Sequence, residues 1–106
     1  MIDLNFISKV ALEYSKAREK NGTVEKGTTL NLLKHCAGEI IEAQNARDKW
    51  IYGSGDFDSE EKLEYAAELA DVIMCILITS ANDNIDIEKA LKNCLEKNRK
   101  RADMSG

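Results

Sequence analysis

The sequence predicts an all-α protein, arranged as a four-helix bundle or a close variant of one. Three observations lead to this fold class. The chain contains no proline among its 106 residues, and no segment alternates between apolar and polar residues as a half-buried strand would. Four segments instead repeat apolar residues at the helical period, and short loops with glycine, asparagine or aspartate separate them. Such short loops favour antiparallel neighbours within a single domain that spans residues 1–106.

Each predicted helix has start signals and one apolar face. The helices are expected over about residues 3–20, 29–50, 58–80 and 86–101. Gly27-Thr28-Thr29 offers an N-cap for the second helix. Asp58 or Ser59 begins the third, with Glu61 placed as the capping-box partner of Asp58. In the fourth helix, one apolar stripe is formed by Ile87, Ala90, Leu91, Cys94 and Leu95.

Composition and charge exclude several function classes. Hydrophobic residues make up 43% of the chain and charged residues 32%, a balance typical of folded proteins. No apolar run approaches the roughly 20 residues that cross a bilayer, and the start of the chain lacks the basic-then-apolar pattern of a secretion signal. The net charge of -4 does not attract nucleic acid. We therefore expect neither a membrane nor a nucleic acid polymer as partner.

The cysteines indicate a reducing compartment, the cytoplasm. Cys36, Cys75 and Cys94 are odd in number and far apart, and His35 is the chain's one histidine. A zinc site needs thiolates or imidazoles that cluster at ligand spacing, and no such cluster is expected here. The three cysteines are interpreted as small core hydrophobes.

The third helix carries one carboxylate inside an apolar run. Residues 69–78 are apolar apart from Asp71, so we expect this run to lie in the middle of the bundle. A buried, unpaired carboxylate costs roughly several kcal/mol unless a cation meets it. Glu68 precedes Asp71 by three positions, and Glu64 lies one turn further back on the same side. These residues form a carboxylate stripe.

The second helix repeats this feature. Glu39 and Glu42 share one face beside Ile40 and Ile41. Gly38 costs about 1 kcal/mol in mid-helix relative to alanine, so we expect a backbone or a ligand to come close there.

Two acidic pairs on neighbouring helices repel each other unless a cation lies between them. Mg²⁺ takes oxygen ligands and often shares them with substrate phosphates. The pattern therefore predicts a magnesium site that faces a phosphate ester. The alternative, that both pairs lie on solvated helix faces, stays open. The predicted ligands are Glu39, Glu42, Glu68 and Asp71.

The end of the fourth helix is basic. Lys97 and Arg101 are i, i+4 neighbours, and Arg99 and Lys100 lie between them. Asn98 continues the apolar stripe, where a polar amide needs a partner. These cations suit the negative charge of a polyphosphate, although a solvated helix end that complements the helix dipole explains them as well.

Three of these segments resemble the MazG-like nucleotide pyrophosphohydrolases. Gly38-Glu39-Ile40-Ile41-Glu42, followed by Glu68-Leu69-Ala70-Asp71, resembles the family's ExxE…ExxD signature, and residues 97–101 resemble its basic C-terminal motif. The resemblance covers about residues 28–101. It implies an all-α enzyme, dimeric or tetrameric, that cleaves a (d)NTP between its α and β phosphates with Mg²⁺, or Mn²⁺ as a substitute.

The resemblance also implies roles for individual residues. The four carboxylates would hold the metal, and either Glu39 or Glu42 would take the proton of the attacking water. Lys97 and Arg101 would contact the phosphates, and Asn98 the nucleotide.

The sequence gives a less specific signal for the residues that would recognise the base. Trp50 is a candidate base contact, in a loop that also contains Tyr52 and Phe57. These aromatics also suit a hydrophobic cluster that covers the end of the bundle. His35 lies on the face of the second helix that bears the glutamates, where it either donates to a carboxylate or belongs to the surface.

Two further functions remain open. Phosphoribosyl-ATP pyrophosphohydrolase shares the fold and the acidic pattern but acts on a different nucleotide. A non-catalytic helical module would instead bind a partner through its apolar faces, and its acidic pairs would merely be solvated.

Overall fold

A computed structural model describes residues 2–22 and 32–105 and confirms the all-α fold. These residues form four helices and no strand: α1 (Leu4–Lys20), α2 (Leu32–Ile51), α3 (Glu60–Asn82) and α4 (Ile87–Ser105). The predicted N-cap at Gly27-Thr28-Thr29 lies outside the described residues. The last helix continues beyond its predicted end at Arg101.

The start of α3 settles one of the capping alternatives. Ser59 is the N-cap, and its hydroxyl accepts a hydrogen bond from the backbone N–H of Lys62 at 3.3 Å. The predicted capping box between Asp58 and Glu61 is wrong, because the helix begins one residue later than that pairing requires.

Small side chains allow α1 and α3 to pack closely. Ser8, Ala11 and Leu12 of α1 are buried, as are Leu77 and Ile78 of α3. The hydroxyl of Ser8 donates to the backbone carbonyl of Leu77, so a buried polar group is satisfied across the interface. This contact fixes α1 against the C-terminal half of α3.

Helix α3 also packs against α2. Cys36 and Ala43 of α2 and Cys75 of α3 are buried, so two of the three cysteines occupy the core as predicted. Cys94, on α4, is exposed. Helix α3 therefore lies between α1 and α2, and it places its N-terminal half beside the acidic face of α2.

The expected burial of the apolar run in α3 is only partly found. Leu69, Ile73 and Ile76 share one side of the helix at i, i+4 and i+7 and are 41%, 56% and 43% exposed. We call these three residues the α3 apolar stripe. Asp71 lies on the opposite side of α3 from this stripe and is exposed as well.

Helix α4 is attached to the rest of the chain near its beginning. The backbone N–H of Asn5 donates to Glu88 Oε1 at 3.2 Å, and its side-chain amide donates to Asp86 Oδ1 at 2.9 Å. Residues 89–103 are exposed. Ile87 is partly covered, but the rest of the predicted apolar stripe of α4 is uncovered in the single chain, with Leu91 49% and Leu95 71% exposed.

The chain exposes more surface than a compact monomer of its mass. A folded monomer of 11.9 kDa exposes about 5,900 Å², whereas this chain exposes 8158 Å². Its radius of gyration is 16.6 Å, against about 13 Å for a compact domain of this length. Among the helices of residues 2–22 and 32–105, none is both long enough and apolar enough to cross a membrane.

Candidate functional site

Three of the four predicted carboxylates converge between α2 and α3. Glu39 and Glu42 come from α2, and Glu68 comes from α3. One oxygen of each lies within 4.8 Å of one oxygen of both others. The spacing of three residues on α2 turns both glutamates toward α3, so the sequence pattern produces the predicted convergence. We call Glu39, Glu42 and Glu68 the carboxylate group.

Glu68 contains a carboxylate oxygen without a hydrogen-bond partner. Its Oε2 atom is buried, and no group of the described chain donates to it. Burial raises the pKa of Glu68 above its usual range, and the negative charges of Glu42 and Asp71 raise this pKa further. A buried acceptor next to like charges needs a cation or a hydrogen-bond donor as its partner. The oxygen-only ligands of this group suit a hard divalent ion.

Glu39 responds to the same surroundings. Burial raises the pKa of Glu39, and the charge of Glu42 adds to that effect. His35 acts in the opposite direction, since its Nε2 atom lies 3.2 Å from Glu39 Oε1. His35 is therefore a surface residue that also contacts a candidate ligand, so the two sequence alternatives for it do not exclude each other.

Asp71 and Gly38 occupy less enclosed positions than expected. The exposed Asp71 is near enough for its charge to raise the pKa of both Glu39 and Glu68, and its role as a fourth ligand stays a prediction. At Gly38, a Cβ atom would meet nothing within 4 Å in the described part of the chain. The close approach that we expected at Gly38 is therefore absent from this part of the molecule.

A second group of potential ligands overlaps the first. His35, Glu39 and Cys75 each place one ligand atom within 4.8 Å of the others. The expectation that no imidazole or thiol would cluster with other ligands is therefore wrong. Sequence reasoning missed Cys75, although it follows Glu68 by seven positions and so lies on the acidic side of α3. Burial, and to a smaller extent the neighbouring Cys36, raises the pKa of the Cys75 thiol to about 12.

The predicted phosphate-binding residues lie on a different part of the fold. Lys97, Asn98 and Arg101 are exposed on α4, which packs mainly on α1. Between them, the guanidinium of Arg99 binds Glu96 and Asp103, each at 2.6 Å. The carboxylate group is carried by α2 and α3, so the described fold of one chain does not pack the basic helix against it.

Trp50 organises the loop between α2 and α3. Its indole N–H donates to the backbone carbonyl of Asp56 at 2.9 Å, and its ring stacks on Tyr65 with 5.9 Å between centroids. The ammonium of Lys62 lies over the rings of Trp50 and Phe57. This arrangement agrees with a cluster at the end of the bundle, and contact of Trp50 with a base stays a prediction.

Fold and site together define a class of protein. It is an all-α protein whose acidic side chains, on two adjacent helices, could hold a metal ion. Comparisons of the chain with protein-family models, curated proteins and solved structures find no match.

Proposed function

We propose that the protein is a magnesium-dependent nucleoside triphosphate pyrophosphohydrolase, which cleaves a (d)NTP to the nucleoside monophosphate and pyrophosphate. One observation carries the proposal: three carboxylates from two helices converge within 4.8 Å, and one of them has a buried oxygen that no group of the described chain satisfies. Such a concentration of charge opposes folding unless a cation offsets it. The pattern also fits the ExxE…ExxD signature that the sequence resembles.

The residues have distinct roles in this proposal. Glu39, Glu42 and Glu68 hold Mg²⁺, or Mn²⁺ in its place, and Asp71 completes the set from the next turn of α3. The bound ion supplies positive charge to the phosphate oxygens and to the attacking water. Glu39 or Glu42 accepts the proton of that water, because both carboxylates belong to the group and a general base must lie within hydrogen-bond reach.

Self-association is part of the proposal. The surface of the chain exceeds that of a compact monomer by roughly 2,200 Å², and an obligate dimer buries about 1,000–2,500 Å² on each chain. The exposed surface includes the α3 apolar stripe and Leu91 and Leu95 of α4. A dimer or tetramer that covers these faces accounts for the excess.

Association also accounts for the position of the basic residues. Lys97 and Arg101 are proposed to contact the phosphates and Asn98 the nucleotide, yet α4 packs mainly on α1. We propose that these residues complete the carboxylate group of another copy, to which their charge is complementary. A mixture of inactive Glu39→Gln chains and weakly active Lys97→Ala chains should then, after co-refolding, show more activity than either variant alone.

The test is a screen of all NTPs and dNTPs with Mg²⁺, in which nucleotide products and pyrophosphate are both measured. Release of monophosphate with pyrophosphate supports cleavage between the α and β phosphates, whereas diphosphate with orthophosphate contradicts it. Glu39→Gln serves as the inactive control, and phosphoribosyl-ATP is assayed in parallel as the alternative substrate. Trp50→Ala would change the preference among bases only if the indole contacts them.

One observation favours a second candidate, the non-catalytic helical module. The same exposed apolar faces that suit self-association would also suit a partner protein. Absence of hydrolysis with every nucleotide, together with weak binding of Mg²⁺ in calorimetry, would support the module. In either case the three free thiols suit a reducing compartment, and we propose the cytoplasm.

A further inference from the structure

The second ligand group differs in chemistry from the carboxylate group. His35, Glu39 and Cys75 offer one nitrogen, one oxygen and one sulfur, a set that suits Zn²⁺ and related ions. Mg²⁺ prefers oxygen ligands alone. Because Glu39 belongs to both groups, an ion bound to the nitrogen and sulfur ligands removes Glu39 from the other set.

The positions of the three atoms are close to those that a tetrahedral ion requires. Bonds of about 2.0–2.3 Å place neighbouring ligands of tetrahedral zinc roughly 3.3–3.8 Å apart. His35 Nε2 and Glu39 Oε1 are already 3.2 Å apart, and all three ligand atoms lie within 4.8 Å of one another. Side-chain movements of about an ångström close the site, without any shift of the helices that carry it.

The surroundings of the site allow an ion to enter. Cys75 is buried between α2 and α3, whereas the side chain of His35 is 49% exposed at the surface end of the group. Solvent therefore reaches the imidazole, and a water can take the fourth position. Binding of the ion to Cys75 releases the proton of the thiol to the solvent, so the ion is bound by a thiolate.

We propose that His35, Glu39 and Cys75 form a binding site for a thiophilic divalent cation of the Zn²⁺ class, distinct from the carboxylate group and sharing Glu39 with it. Occupation of this site and binding of Mg²⁺ by the carboxylate group exclude each other. Zn²⁺ then acts as an inhibitor that competes with Mg²⁺. This last consequence rests on the proposed function, but the binding site itself does not.

The test uses Co²⁺ as a spectroscopic probe of the metal-free protein in a phosphine reductant. Thiolate ligation of Co²⁺ produces a ligand-to-metal charge-transfer band, and a tetrahedral site gives intense visible bands. We expect one equivalent of Co²⁺ per chain to produce both, and Zn²⁺ to abolish them by displacement. A tenfold excess of Mg²⁺ over the protein should leave them unchanged, because the carboxylate group binds Mg²⁺ far more weakly than nitrogen and sulfur ligands bind Co²⁺.

Variants assign the bands to these residues. Cys75→Ser should remove the charge-transfer band, and Cys94→Ser, at an exposed cysteine on α4, is the matched control that keeps it. His35→Gln changes an exposed side chain, so the fold stays intact. The substitution should lower the affinity for Co²⁺ by more than roughly 10- to 100-fold, which is the loss in affinity seen when residues that merely orient metal ligands are replaced.

The outcomes separate this inference from the proposed function. A charge-transfer band that survives in Cys75→Ser, or Co²⁺ affinity that is unchanged in His35→Gln, would overturn the site. If wild-type protein hydrolyses no nucleotide but gives the cysteine-dependent band, the site stands and the proposed function fails. If the protein hydrolyses a nucleotide but gives no charge-transfer band, the proposed function stands and the site fails.

Discussion

Replacing Ile73 by lysine is expected to separate the associated chains while each chain stays folded. Ile73 is 56% exposed in the single chain, so its replacement removes little packing within that chain. If association covers the exposed part, about 100 Å² of apolar surface, the contribution is about 2.5 kcal/mol at 25 cal/mol/Å². A two-fold dimer contains this contact twice. The dissociation constant should then rise by three to four orders of magnitude, for a total of about 5 kcal/mol.

Sedimentation equilibrium at micromolar protein measures this change directly. Wild-type protein should have at least the mass of a dimer, and Ile73→Lys that of a monomer with unchanged helical circular dichroism. Ile85→Lys is the matched control, because Ile85 is similarly exposed, at 50%, but lies in the loop between α3 and α4. A monomeric wild-type protein, or an Ile73→Lys variant that keeps the wild-type mass, would refute the assignment of the α3 apolar stripe to an interface.

Three further predictions concern the charged residues. Since burial raises the pKa of Glu68 above its ordinary 4.5, ionisation of Glu68 opposes folding. The free energy of unfolding of metal-free protein should therefore fall as the pH rises through that raised pKa. Urea titrations should show a smaller dependence of this free energy on pH in Glu68→Gln than in wild type, and the same dependence in both proteins would contradict the prediction. Asp71→Asn should abolish turnover in the product assay and leave the metal-free melting temperature unchanged or raised, and wild-type activity would remove Asp71 from the metal set. Lys97→Ala and Arg101→Ala should each lower kcat/KM by roughly ten- to a hundredfold, from about 1.5–3 kcal/mol of lost phosphate contact, with Mg²⁺ binding unaffected in calorimetry. Arg99→Ala should cost much less, and equal losses at all three positions would indicate a diffuse effect of charge.

Much of the fold follows from local signals in the sequence. Apolar periodicity and loop residues depend on short stretches of chain, which is why the four helices occur where they are predicted. The convergence of Glu39, Glu42 and Glu68 was also predictable, because spacing along a helix determines which side chains share a face. The start of α3 at Ser59 rather than Asp58 shows the usual uncertainty of one residue at a helix end.

The rest depends on tertiary packing, which periodicity does not specify. An apolar run is buried only where another element covers it, and in the single chain no described element fully covers the side of α3 that carries Leu69, Ile73 and Ile76. The proximity of Cys75 to His35 depends on the rotation and register of α2 against α3. These two residues lie on different helices, so no local pattern joins them.

The attachment of α4 has a consequence for the dynamics of the protein. Helices in proteins gain most of their stability from tertiary packing rather than from propensity. Beyond its first turn, the 19-residue helix α4 is exposed throughout residues 89–103. Its amide hydrogens should exchange rapidly in dilute protein and become protected as the concentration rises, while those of α3 keep their protection at every concentration. The order of α4 would then be a property of the assembly rather than of the individual chain.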